Sequence, residues 1–283
     1  MREIPPPSPA VVVGLDGSRQ AITAALWAVD EAIDRDVPLR LLYAIEPQES
    51  GRFDCESVAH DFATADIAVR QAAMAIEATE QPVKIEVEIV QDRAVPALLT
   101  ASHSAAMICI GAVGSSGPAA RCIGSTAYGL LAHATCAVAI VRPEQRHLGQ
   151  PGWVVTEFDD SADGSTPLRH ALDEARLRKA PLHVIASWRP GFPDVQDAQT
   201  CAEGNKQAKA NLERMLTNYR QMYPDVVIQS VAVPGNTVNY LARHADSIQL
   251  LVLGHHPSNE LSAMTGPASY SSLDGLDCSL LIS

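Results

Sequence analysis

The stretch of this chain best equipped for chemistry runs from Gly111 to Thr126 and reads GAVGSSGPAARCIGST. Gly114 follows Gly111 after two residues, Gly124 follows Gly114 after nine, and the hydroxyl pair Ser125 and Thr126 comes next. Glycines let main-chain N–H groups come close to a ligand. Hydroxyls at a helix start add donors, and the helix N-terminus carries partial positive charge. Together these residue types make a cradle for phosphate. No lysine follows the last glycine, so this is not a Walker A loop, and the spacing differs from the dinucleotide fingerprint. A surface turn of small residues is the alternative reading.

A cradle needs elements to hold it. The apolar run Met107 to Ile110 enters it as a strand, and Thr126 to Ala132 leaves it as a helix. Earlier, AVVVGL (Ala10 to Leu15) has no polar alternation, as in a strand covered on both faces. It ends in Asp16-Gly17-Ser18, where Ser18 is a helix N-cap. From Arg19 to Asp36, apolar residues at Ile22, Leu26, Trp27, Val29 and Ile33 follow a helical period. Pro38 to Ile45 is a second strand, so the unit is a parallel, right-handed crossover.

Glu46 to Asp61 is polar and irregular, and a helix is expected over Ala63 to Glu80. Val83 to Val90 alternates apolar and charged residues, which places it at a sheet edge with one wet face. A short helix over Val95 to Ser102 and a last strand over Cys136 to Val141 complete five strands and four helices.

Open parallel sheets bind ligands beyond the carboxyl ends of their strands. Three features fall there: Asp16, Tyr43 to Ile45, and Gly111 to Gly114. Asp16 can accept hydrogen bonds from a base or ribose, and the Ala44 backbone can read an adenine edge. A turn or cap residue is the plainer role for an isolated Asp.

The chain then repeats. A shift of 143 positions carries PLRLLYAIEP (Pro38 to Pro47) onto PLHVIASWRP (Pro181 to Pro190), Asp16 and Ser18 onto Asp159 and Ser161, and Gly111 onto Gly254. One deletion makes the shift 142, and Gly124, Tyr128 and Cys136 then lie over Gly266, Tyr270 and Cys278. The expected organisation is a proline-rich tail over 1–9 and two like domains over 10–143 and 153–283.

VVVGLDGS, the strand end Leu42-Tyr43-Ala44, the G-x2-G-x9-G-S/T spacing and the closing HATCAVAIVR resemble the universal stress protein family in its tandem, ATP-binding form. The resemblance implies an α/β fold of two tandem Rossmann-like domains, each a five-stranded parallel sheet with helices on both faces. It implies ATP as ligand, with Mg²⁺ at the phosphates. Carried over by position, Gly14 and Asp16 would touch base and ribose, and Ala44 would meet adenine. Gly111, Gly114, Gly124, Ser125 and Thr126 would hold ribose and phosphates. The second copy departs from the pattern, with Pro257 for the second glycine, Pro267 for the hydroxyl and Asp160 for the glycine after the first strand. Proline has no N–H to donate, so ATP binding is expected in the first domain only. His255 and His256 follow Gly254, but two adjacent histidines do not make a metal site.

The net charge of −12 and the lack of any Lys/Arg cluster argue against nucleic acid as a partner. The first ten residues, MREIPPPSPA, lack the apolar core of a signal peptide, and the apolar runs are too short to span a bilayer, so a cytoplasmic protein is expected. None of the six cysteines forms a C-x-x-C pair; Cys109 and Cys136 read as small buried hydrophobes, and Cys122 is the thiol that lies in the glycine stretch. The expected function is regulatory, with an adenine nucleotide bound, a protein partner of unknown identity, slow or no hydrolysis, and dimerisation among the expected assemblies. A weak ATPase and a ligand-free scaffold are the alternatives.

Overall fold

A computed structural model describes residues 9–47, 55–113, 123–143, 152–158, 165–188, 198–235, 237–254 and 278–283. The chain divides into two units, residues 1–143 and 144–283. The first contains β1 (Val11–Leu15), α1 (Arg19–Asp34), β2 (Leu39–Ile45), α2 (Cys55–Glu77), β3 (Ile85–Gln91), α3 (Ala94–Ser102), β4 (Met107–Gly111), α4 (Ser125–His133) and β5 (Ala137–Val141). Its strands are parallel in the order β3-β2-β1-β4-β5.

Local sequence explains these elements. In β1, Val11, Val12 and Val13 are buried, as β-branched residues between two helical layers should be. The Ser18 hydroxyl accepts from the Ala21 N–H at 3.1 Å and so starts α1. That helix turns Ala21, Ala24, Ala25, Ala28 and Ala32 inward. Small side chains let the helix sit close to the sheet, which suits a chain with only 5% aromatic residues. β3 is the edge strand, and Arg40 of β2 reaches across to its Glu86 at 3.3 Å and Glu88 at 3.8 Å.

The long helix α2 departs from the sequence expectation. It begins at Cys55 rather than Ala63 and ends at Glu77 rather than Glu80. Its first turns are largely solvated and Ala65 is the first buried alanine on it, so no apolar period marks the start. At the other end, Glu80 has φ 55°, a left-handed value that closes the helix.

The second unit contains β6 (Trp153–Glu157), α5 (Ser165–Leu177), β7 (Leu182–Trp188), α6 (Ala198–Met222), β8 (Ile228–Pro234), α7 (Thr237–Arg243), β9 (Ile248–Leu253) and β10 (Ser279–Ile282). Its order, β8-β7-β6-β9-β10, is that of the first unit. The duplication holds at the level of register. Val11 pairs with Leu39 and Met107, while Val154 pairs with Leu182 and Leu250, each 143 positions on. Met107 pairs with Ala137 and Leu250 with Ser279, where the shift has become 142. The turns after α1 and α5 match as well. Asp36 and Lys179 have φ 52° and 51°, and the buried Glu31 and Glu174 pair with Arg35 and Arg178. Among the described residues, no helix is long and apolar enough to cross a membrane.

Candidate functional site

In the first unit the chain leaves β1 toward β2 on one side and returns to β4 on the other. The connections therefore diverge at the carboxyl ends of β1 and β4, the place where open sheets of this kind form a ligand crevice. Asp16 stands at the first end. Its Oδ1 accepts from the Ser18 N–H at 2.9 Å, which makes Asp16-Gly17-Ser18 a tight turn, with Gly17 at φ 79°. Gly111 ends the second strand, and Ala112 and Val113 follow it.

Gln20, on the first turn of α1, ties the two ends together. Its Oε1 accepts from the Val113 N–H at 2.8 Å. The other foot of the glycine stretch is pinned as well, since the Gly124 N–H donates to the Ala112 carbonyl at 2.9 Å. Gly114 and the residues to Cys122 lie outside the described residues. Gly124 is the N-cap of α4 and brings no capping side chain. The first bond back into the helix start runs from the Tyr128 N–H to the Gly124 carbonyl at 3.2 Å. The amides of Ser125, Thr126 and Ala127 precede that bond and make up the polar mouth of the helix. Ser125 is exposed and Thr126 half-buried.

Two of the expected site glycines have packing reasons of their own. A side chain at Gly111 would stand 2.9 Å from the Gln20 backbone, so α1 rests directly on this strand end. One at Gly14 would meet Ile110 at 3.0 Å and Leu98 of α3 at 3.2 Å. Ala44 lies near the end of β2, opposite Val90, and is half-buried. Beside it Tyr43 has its phenol pKa raised, first by burial and then by the carboxylates of Asp16 and Asp61. Asp61 of α2 is thus near enough for its charge to act on Tyr43. Neither Gln20 nor Asp61 is conspicuous in the sequence, because each sits in an ordinary polar helix position.

The second unit has different chemistry at the corresponding place. Glu157 occupies the position of Gly14 and is 5% exposed. Its Oε1 accepts from Ser187 Oγ at 2.6 Å, at the position of Ala44, and from Thr237 Oγ1 at 3.3 Å. A buried carboxylate held by two hydroxyls thus stands where the first unit has bare backbone. Asp160, Pro257 and Pro267 lie outside the described residues, as do His255 and His256. Cys109 and Cys278 are buried, and burial pushes the Cys136 thiol up to about 11, so it stays a thiol at neutral pH. Cys122 is outside the described residues.

The sequence profile of the universal stress protein family matches residues 9–142 and 154–282. The chain belongs to the universal stress protein family. It carries that domain twice in tandem, each copy a Rossmann-like α/β sheet. Universal stress protein Rv2028c of Mycobacterium tuberculosis is 42% identical over 275 residues, covering 97% of this chain and 95% of that protein. Universal stress protein Rv3134c of the same organism is 39% identical over 269 residues, covering 93% and 94%. Among solved structures, a universal stress protein from Archaeoglobus fulgidus aligns over 96% of this chain and 95% of its own with a TM-score of 0.67. At 16% identity, that likeness speaks to the fold alone.

Proposed function

We propose that this universal stress protein binds one ATP, with Mg²⁺, in the crevice of its first unit and uses the bound state to regulate a protein partner in the cytoplasm. The observation that carries this reading is the convergence at one sheet end of Asp16, the pinned ends of the glycine stretch at Val113 and Gly124, and the amide mouth of α4. These residues suit a nucleotide. Asp16 would accept from ribose, the Gly14 and Ala44 backbones would border the base, and Gly111, Gly114, Gly124, Ser125 and Thr126 would hold ribose and phosphates. ATP would bring the charge that Mg²⁺ offsets. The stretch Gly111 to Thr126 contains no lysine to draw charge from a leaving phosphate, which supports binding with slow or no turnover.

In the second unit the buried Glu157 supports a different outcome. Glu157 puts a buried side chain where the Gly14 backbone would border the base, and displacing it means breaking its hydrogen bonds to Ser187 and Thr237. The test is direct. Protein purified without harsh washes and then acid-precipitated should release adenine nucleotide on chromatography, and added ATP with Mg²⁺ should raise the melting temperature. Asp16→Ala should remove that shift. If no adenine nucleotide is released and none shifts the melting temperature, the reading fails.

A further inference from the structure

The two units differ sharply at a second place, on the sheet face beneath α3 and α7. In the second unit this face is filled by rings. His183 of β7 stacks on Trp153 with centroids 4.0 Å apart, its Nδ1 lies 3.1 Å from the Tyr240 hydroxyl, and His244 packs against both Tyr240 and Trp153. Tyr240 is on α7 and His244 directly follows it.

The shift of 143 places alanines in the first unit at the ring positions: Ala10 for Trp153, Ala97 for Tyr240 and Ala101 for His244, with Arg40 for His183. Three of these positions, Arg40 of β2 and Ala97 and Ala101 of α3, line a cavity of about 350 Å³, which is bounded also by Leu42 of β2 and by Glu88 and Asp92 at the β3 edge. The volume suits a small ligand. Leu42 forms an apolar floor, being only 3% exposed.

The carboxylates follow the cavity. Where the rings fill the space, Glu88 is replaced by Val231 and Asp92 by Gly235. Where the space is kept, two acids and one cation line it. Glu88 lies 3.8 Å from Arg40, and Lys84 at 2.8 Å accompanies Glu86, the other partner of Arg40. The lining charge is thus net negative, so the site favours a cation, and the alanine slot takes a flat ring.

We propose that the cavity between α3 and the β2–β3 edge of the first unit is a binding site for a small aromatic amine, its ring between Leu42 and the α3 alanines and its ammonium at Glu88 and Asp92. The site neighbours the strand ends assigned to the nucleotide, since Leu42 pairs with Gly14 and Val90 with Ala44, but none of the nucleotide residues lines it and it does not rest on that reading.

Tryptamine is a suitable probe, and 3-indolepropionate, with the same ring and the opposite charge, is its control. Titration of the full chain, followed by melting temperature and by ligand NMR, should show saturable binding of tryptamine and none of the control. Glu88→Gln with Asp92→Asn should weaken tryptamine several-fold. Ala97→Tyr with Ala101→His, which copies the second unit, should abolish binding while circular dichroism shows the fold retained. Should that variant fail to fold, the neutralised Glu88/Asp92 variant decides. Equal binding of amine and acid, undiminished binding in the neutralised or the filled variant, or no saturable binding of tryptamine at millimolar concentration would each overturn the proposal.

Discussion

Gly111 and Gly14 show how a residue can serve a site and the core at once. A Cβ at Gly111 meets rigid helix backbone, whereas one at Gly14 meets the ends of Leu98 and Ile110, which can shift. Gly111→Ala should therefore cost about 1–3 kcal/mol in urea unfolding, and Gly14→Ala less. A Gly111 variant that loses nucleotide binding would not by itself show a contact. Asp16→Ala is the cleaner probe, because it forces no side chain into packed backbone, and loss of its turn hydrogen bond to Ser18 costs about 0.5–1.5 kcal/mol. Tyr43 reports on the same place. In a spectrophotometric titration, with Tyr43→Phe for assignment, its phenol should ionise above the ordinary tyrosine range. Asp16→Asn should lower that value without abolishing the shift, since burial is the larger cause. A full return to the ordinary value would contradict this ordering.

At the scale of elements, what the sequence shows is set by burial. β1 is legible because both its faces are covered and its residues are all apolar or glycine; β3 is legible as an edge from its alternating charges, although its exposed residues are Val87 and Gln91 while Glu86 and Glu88 are half-buried. The start of α2 is not, because its first turns bury little. The glycine spacing makes the crevice visible, but Gln20 and Asp61 act through geometry that only the packed helices create. The ring cluster of β7 and α7 was likewise hidden, since its members are scattered between Trp153 and His244. It has a consequence for acid stability. Burial, with a smaller push from His244, holds the His183 pKa down from 6.5 to about 4, and its Nε2 is buried without a hydrogen-bond partner among the described residues. The folded state thus favours the neutral ring. That contribution is complete above pH 6.5 and is lost as pH falls toward 4, amounting to up to about 3 kcal/mol. The urea midpoint of the second unit should fall between pH 7 and pH 5, and His183→Phe should flatten that dependence. A wild-type midpoint that is level across this range would refute the assignment.

For the molecule as a whole, duplication has kept the register and changed the surfaces. The same strand order carries bare backbone at Gly14 in one unit and a buried carboxylate at Glu157 in the other. Calorimetric titration should accordingly count one nucleotide per chain; two would show that Glu157 does not exclude the ligand. The shared strand order also governs synthesis. β1 pairs on one side with β2 and on the other with β4, and Met107 is the first residue of that second partner. On the ribosome, β1 keeps one edge unpaired until residues 107–111 have left the exit tunnel, and β6 waits in the same way for β9. A half-paired strand with an apolar run is an aggregation hazard even when it is only five residues long, and long-range parallel pairing is slow. Each nascent chain meets that interval twice, so chaperone demand during translation should come in two waves, the first ending as β4 pairs the free edge of β1 and the second as β9 pairs that of β6.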